Sequence, residues 1–547
     1  MHHQQTASAD AETGQAASIP TVNGSDFSPI TYRYLTFSTT LPRPADGAEP
    51  SSAPPPRPSL SGYQDPREWK PALKVFVTWL CCLSTLVTTY TPGAYTIGLE
   101  QYKAEWGITT TAVYAGITIF TLCFAVAPMI LAPFSETHGR RPVFLAAGIV
   151  YVLGQLGSGV TGSFAGMLAT RALAGISCSV FSTIVGGVVS DIYIAKERNT
   201  AMAIFSGAAL CGAGIGPAVS GVVAQHLSWR WIFYLQTITC SAVIAALFFS
   251  FPETRGSVLL SRQAVILNAW HKSLEQSGCY ALELATAEDS HSTLASSLCR
   301  LRWKVKADED RATLAVLIKT SLLRPIHLLC TESVVFWFAL WMAFAWSILY
   351  LTFEAVPLMF RSAYGFSTQA TGLVFLAVSV TSVVATAAAI WQNHALDSST
   401  SRLSRFLRRD QPEGRLFFAC GQSLLLPIGL FWLGATVNPA IPWIVPVLAC
   451  ACLTLGVFSV YLAVFNYLAD TYHAYASSAI AAQSFTRNVF AACLPLATEP
   501  MFHALGFIGV GCFLGGVGLV LSAVPWVLMA WGPRIRQRSP IARKLAE

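Results

Sequence analysis

Stretches of about twenty apolar residues, separated by short polar turns, recur along most of this chain of 547 residues. A helix rises about 1.5 Å per residue and needs roughly 20 residues to cross a hydrocarbon layer about 30 Å thick. In lipid every backbone N–H and C=O must be satisfied within the segment, so runs of this kind fold as spanning helices. The runs place helices near 74–98, 109–131, 142–160, 164–190, 200–224 and 230–251. Six more follow near 328–353, 367–391, 415–436, 441–468, 476–498 and 505–531. The expected fold is an all-α membrane protein of twelve transmembrane helices in two six-helix halves. Charged residues make up 12% of the chain, about half the share of a soluble domain, and mean hydropathy is +0.53. Lipid is therefore the expected solvent.

The stretches outside the spans divide the chain further. Residues 1–66 are rich in Ser, Thr, Ala, Pro and Gly, a composition expected to form a disordered tail without the apolar core of a signal peptide. The two halves are read as 67–251 and 327–531, joined by a central loop over 252–326 and followed by a basic tail over 532–547. Lys and Arg fix the orientation. Arg140, Arg141, Lys196, Arg198, Arg402, Arg405, Arg408, Arg409, Arg415, Arg534, Arg536, Arg538, Arg543 and Lys544 fall on one side, while the other holds Lys103, Arg230 and Arg361. Both termini are accordingly expected in the cytosol, with an even number of spans. The net charge of +7 is no sign of nucleic-acid binding, because the basic residues sit beside spans. Most of the fourteen cysteines lie inside apolar runs and no Cys/His cluster has metal-ligand spacing, so neither a disulfide framework nor a metal site is expected.

The turn between the second and third runs reads Ala132-Pro-Phe-Ser-Glu136-Thr-His-Gly139-Arg140-Arg141-Pro142. It resembles the signature loop of the major facilitator superfamily, with Glu136 where that family usually has Asp and Ala132 in place of a leading Gly. The halves also echo each other: Asp191-Ile-Tyr193 ends one span and Asp470-Thr-Tyr472 ends another, as a six-plus-six parallel repeat requires. Helix 5 carries Gly212-Ala-Gly-Ile-Gly216-Pro217-Ala-Val-Ser220-Gly221. Its small residues four apart make a flat face for close helix approach, and Pro217 removes a backbone donor. The same string resembles the antiporter motif of proton-coupled exporters. Arg171, in Arg171-Ala-Leu-Ala-Gly175, is similar to an Arg motif linked to proton coupling, with Ala174 where the family has Gln. Pro252-Glu-Thr-Arg255, Glu354 in Tyr350-Leu-Thr-Phe-Glu354-Ala-Val-Pro357, Pro412-Glu-Gly-Arg415, Asn466-Tyr-Leu-Ala-Asp470 and Arg487 extend the resemblance over residues 70–530. Together they are similar to the fungal branch of the twelve-span drug:proton antiporters, which includes multidrug, polyamine, toxin and secondary-metabolite exporters.

The resemblance implies proton-coupled efflux of a lipophilic small molecule, with no cofactor beyond the proton gradient and no enzymatic activity. Arg171, Glu354, Asp470, Asn466 and Arg487 are the expected coupling and cavity residues. Glu332, Glu354 and Asp470 are the buried acids and are placed near helix ends; helix 1 has no acid before Glu100, so Glu354 or Asp470 is left to carry the proton. A latch of Glu136, Gly139, Arg140 and Arg141 is expected on the cytosolic side. Trp337, Trp341 and Phe344, from an aromatic run in helix 7, are candidate cargo contacts. Few deep carboxylates rank a cationic cargo below a lipophilic or weakly acidic one. The expected setting is the plasma membrane, or a vacuolar membrane, as a monomer whose partners are cargo, protons and lipid. The rival readings are an importer of the same fold, a polyamine exporter, a polytopic membrane enzyme and a non-transporting receptor.

Overall fold

The computed structural model describes residues 30–41, 55–277, 281–282, 298–397, 412–472 and 475–539. Arg402, Arg405, Arg408, Arg409, Arg543 and Lys544 lie outside the described residues. The first half holds α1 Pro71–Ile97, a short α2 Leu99–Trp106, α3 Thr110–His138, α4 Arg140–Val160, α5 Phe164–Ile192, α6 Ala195–His226 and α7 Arg230–Ser250. Helix starts follow capping chemistry where the sequence offers it: the side chains of Thr109 and Ser163 accept the N–H groups of Ala112 and Gly166, filling orphan donors of α3 and α5. Within this half α1 packs on α6, α3 and α4 pack on α5, and α4 packs on α7.

Further along come α8 Gly256–Gln276, α9 Lys306–Glu309, α10 Leu314–Thr331 and α11 Ser333–Tyr364. The second half continues with α12 Thr368–Val374, α13 Leu376–Asp397, α14 Leu416–Gln422, α15 Leu425–Thr436, α16 Ile444–Tyr472, α17 Ala476–Leu521 and α18 Ala523–Arg538. Among the described residues, twelve helical stretches are long and apolar enough to cross a membrane. They are not one-for-one the twelve expected. The last stretch, Ala476–Gln537, carries two spans, because Gly506 breaks α17 at φ 67°, a left-handed conformation that favours glycine. The other difference is α10, whose most apolar window is only 11% buried, against 78% in α11. The seventh span therefore begins at Ser333 rather than near 328 and runs on to Tyr364. The change in direction falls at Glu332, which leaves helical geometry (φ −104°, ψ 104°) and buries its carboxylate against the hydroxyls of Tyr472 and Ser539. Glu354 consequently lies well inside a span and not near its end.

The two halves meet along two lines: α6 packs on α12 and α13, and α3 packs on α17. Ser379 donates to the Cys211 carbonyl (3.0 Å) and Thr118 to the Ala492 carbonyl (2.8 Å) across these contacts.

A second compact unit forms from residues 1–64 and 259–311. Among its described residues, strand β1 (Ile30–Tyr34) pairs in parallel with β3 (Leu298–Lys304), which pairs antiparallel with β2 (Ala281–Leu282). Leu301, Trp303 and Val305 pack with Leu35 against Ala264, Leu267, Trp270 and Leu274 of α8. Composition averaged over 1–66 hides this strand: Ile30-Thr-Tyr32-Arg-Tyr34 is a short β-branched and aromatic run inside a Ser/Pro-rich tail, so part of the stretch expected to lack structure is a strand.

Candidate functional site

At the end of the bundle where α3 turns into α4, Gly139 holds φ 102°. A Cβ there would overlap the Glu253 carboxylate, so the turn needs glycine on two counts. Glu253 sits on the N-terminus of α4, accepting the N–H of Arg140 (2.8 Å) and of Arg141 (3.2 Å). A carboxylate at a helix start meets orphan N–H groups and the positive end of the helix dipole. The Arg140 side chain is buried and donates through Nε to Asp191 (3.1 Å) and through Nη1 to Ser135 (2.6 Å). Arg255 completes the group with 3.1 Å to the other Asp191 oxygen. Arg141 points outward and donates to the Phe248 carbonyl. The partner expected for Arg140, Glu136, is exposed and makes no ion pair among the described residues. The Arg140 side chain turns inward to Asp191 at the end of α5, while Glu253, beyond the end of α7, takes its backbone N–H.

Above this network lies a cavity of 230 Å³, reached by Glu136, Arg140, Gly187, Arg198, Asn466, Ser484 and Asn488 among others. Asp470 and Arg198, from opposite halves, form an ion pair of 3.5 Å at its wall. Asn466 lines the cavity, half-buried.

Deeper in the bundle the charged groups change character. Arg171 is fully buried; its Nε donates to the Gly116 carbonyl (3.3 Å), and its guanidinium lies 4.5 and 4.4 Å over the rings of Tyr95 and Phe120. It does not snorkel to the membrane surface. Arg487 is also fully buried, 4.8 Å over Trp346 and 5.1 Å over Tyr461. Glu354 is 3% exposed, and neither carboxylate oxygen has a hydrogen-bond partner. Thr498, Tyr114 and Glu499 are the polar groups around it, with no cation among them. A polar string in the first half links Gln155, Thr91, Tyr151 and Gln236, and Gln483 stands buried with both amide atoms unpaired. Gln155, Gln236 and Gln483 were missed by the sequence reading; a lone Gln within an apolar run was the available signal.

Of the aromatic residues singled out in the seventh span, α11, only Trp341 is buried. Trp337 is 49% exposed on the outer face of the bundle, and Phe344 packs toward Gly518. The ring at the centre is Trp346, which belongs to the same run and stacks 5.5 Å from Tyr461. Trp337, Trp341 and Trp346 follow one another along a single helix, and only packing decides which of them turns inward.

The glycine string of α6 serves two neighbours. A Cβ on Gly212 or Gly216 would run into the Leu86 or Tyr90 carbonyl of α1, while one on Gly221 would come 3.0 Å from Gly372 in α12. Ser220 bonds Tyr90 (3.1 Å), and Pro217 packs its ring on Gly93.

Twelve spans in two packed halves, with a polar centre and a cavity between them, define a membrane transporter. The pattern of the Major Facilitator Superfamily matches residues 79–495, and the chain belongs to that family. It is 30% identical over 491 residues to the major facilitator superfamily multidrug transporter mdrA of Aspergillus fumigatus, covering 88% of this chain and 76% of that one. The efflux pump FUBT of Fusarium oxysporum is 30% identical over 478 residues, covering 87% and 75%. Among solved structures, the proton:xylose symporter XylE superposes with a TM-score of 0.58 at 14% identity, covering 84% of this chain and 96% of that one; that likeness concerns the fold.

Proposed function

We propose that this transporter is a proton-coupled exporter that carries a lipophilic small molecule out of the cytosol by alternating access, with the Arg140 end facing the cytosol. The observation that carries the reading is Glu354: a carboxyl buried inside a span, with no cation beside it among the described residues. A proton carrier must exchange its proton as access changes, and a permanent salt bridge would hold it charged. Asp470, the other candidate, is paired with Arg198, which suits it to a contact between the halves. Relatives named as a multidrug transporter and an efflux pump support the outward direction. The Lys/Arg asymmetry supports the orientation, and the plasma membrane is the proposed setting.

In alternating access the halves rock about a central site. The Glu253–Arg140–Asp191–Arg255 group ties helix ends of the first half to one another, so that half moves as a body. Arg198–Asp470 joins opposite halves and must part when the cytosolic side opens wide. Proteoliposomes with an imposed pH gradient test the coupling: wild type takes up protons as it moves cargo, Glu354→Gln loses gradient-driven flux by at least about 100-fold, and Asp470→Asn keeps it within about tenfold. Gradient-driven flux surviving in Glu354→Gln would refute the assignment.

A further inference from the structure

Among the described residues, Arg171 and Arg487 are two buried cations without a paired anion. All three side-chain nitrogens of Arg487, and both terminal nitrogens of Arg171, are buried without a hydrogen-bond partner. Among the described residues, acids that could neutralise them are engaged elsewhere. Glu253 binds the start of α4, Glu413 pairs with Arg536, Glu332 accepts from Tyr472 and Ser539, and Asp191 pairs with Arg140 and Arg255. Glu354 has Thr498 and Glu499 as its electrostatic neighbours, not an arginine. Ring stacking uses the faces of a guanidinium and leaves its N–H edge free, and that fork matches a carboxylate in two-point fashion. A buried, unpaired charge is costly to keep in a membrane protein, so its partner is to be sought outside the chain.

Tyr350, one turn from Trp346 on α11, has both Arg171 and Arg487 among its electrostatic neighbours. The cavity described above reaches Phe465, over which Arg487 also lies (5.7 Å), as well as Ser484 and Asn488 beside it in sequence. Phe465 thus joins the cavity wall to Arg487, which lies among the rings of Trp346, Tyr461 and Phe465.

We infer that Arg171 and Arg487 bind the anionic group of the cargo, and that the cargo is a lipophilic carboxylate whose flat body lies against Trp346, Tyr350 and Tyr461. This rests on the exporter reading and narrows its cargo class. Neutral drugs and polyamines lack the group that the free N–H edges would bind.

The test uses the full chain in nanodiscs and alkylbenzoates of increasing chain length as probes, each beside its alkylbenzamide and alkylbenzylamine, which share the skeleton and differ in charge. Tryptophan fluorescence reports binding. The expected result is at least about tenfold tighter binding of the carboxylate than of the amide or amine. Arg487→Gln and Arg171→Gln should each reduce that preference at least about tenfold, with Arg487→Lys intermediate, because Lys keeps the charge and loses the fork. Equal or tighter binding of the amide or amine overturns the inference, as does failure of every carboxylate to bind below about 1 mM. The wild-type comparison decides even where a variant fails to fold. Flux separates this from the exporter reading: carboxylates that bind but are not moved under a pH gradient sink the exporter, while amides moved as fast as carboxylates sink the anion site.

Discussion

Arg171 and Arg487 set an unusual relation between stability and activity. Removing one partner of a buried ion pair strands the other charge, but these guanidinia have no charged partner among the described residues to strand. Replacing either by Met, which keeps apolar volume, should leave the melting temperature in detergent equal to or above wild type. Gradient-driven transport should fall at least about 100-fold in the same proteins. A melting temperature lowered by more than about 5 °C would show that the arginines hold the fold together. Glu136 makes the opposite case. It is exposed and makes no ion pair among the described residues, so Glu136→Gln should change turnover less than about twofold. Glu253→Gln, which weakens the acceptor for two helix-start N–H groups, should lower the melting temperature measurably, since a charged acceptor there contributes about 1–2 kcal/mol.

At the scale of elements, close backbone approach decides which glycines matter. Gly186 and Gly187 are neighbours on α5, yet a Cβ on Gly186 meets nothing within 4 Å, while one on Gly187 comes 2.7 Å from the Arg140 guanidinium. Gly186→Ala should therefore stabilise by up to about 1 kcal/mol through helix propensity, and Gly187→Ala should destabilise. Gly216→Leu would drive a side chain against the Tyr90 carbonyl where α6 meets α1. Overpacking at backbone contact costs about 1–3 kcal/mol or more, so this variant should misfold or lose cargo transport. Thermal melts and quantified membrane expression of the three variants check the order.

At the scale of the molecule, the unit built from β1, β3 and α8 brings a titratable core of its own. Trp303 Nε1 donates to His271 Nε2 at 3.1 Å. Burial, with Arg302 nearby, holds the His271 imidazole below its ordinary value. Unfolded histidine takes its proton from about pH 6.5 downward, so this contribution is complete above that pH and is lost as pH falls below it. Burial alone would push the Glu275 carboxyl up, but Arg302 and Arg300 hold it below the carboxylate range, so its contribution is lost at lower pH still. The protection factors of the 298–304 amides, taken against the intrinsic exchange rate at each pH, should therefore fall as pH drops from about 7 to 5, and His271→Gln, which keeps an acceptor without a titration, should flatten that fall. Deleting residues 1–41 removes β1 and Leu35 and should speed exchange of β3 at every pH. The same deletion should leave cargo flux per molecule within about tenfold of wild type, because every spanning helix remains.

The spans, their number and the family were legible because lipid imposes a length and a composition that no neighbour can override: about twenty apolar residues must be helical wherever they pack. Gly139-Arg140-Arg141 and the α6 glycines were legible too, since their spacing is local. Arg140's partners were not, because Asp191 on α5 and Glu253, in the segment between α7 and α8, reach it from far along the chain. Nor was the placing of Glu354, where a span starting later than expected, at Ser333, moved an apparent end residue to the interior. The strand at Ile30–Tyr34 needed β3, at Leu298–Lys304, to satisfy its backbone. Sequence sets which residues can enter the membrane; which of them face one another, and which charges are left without a partner, is decided by packing alone.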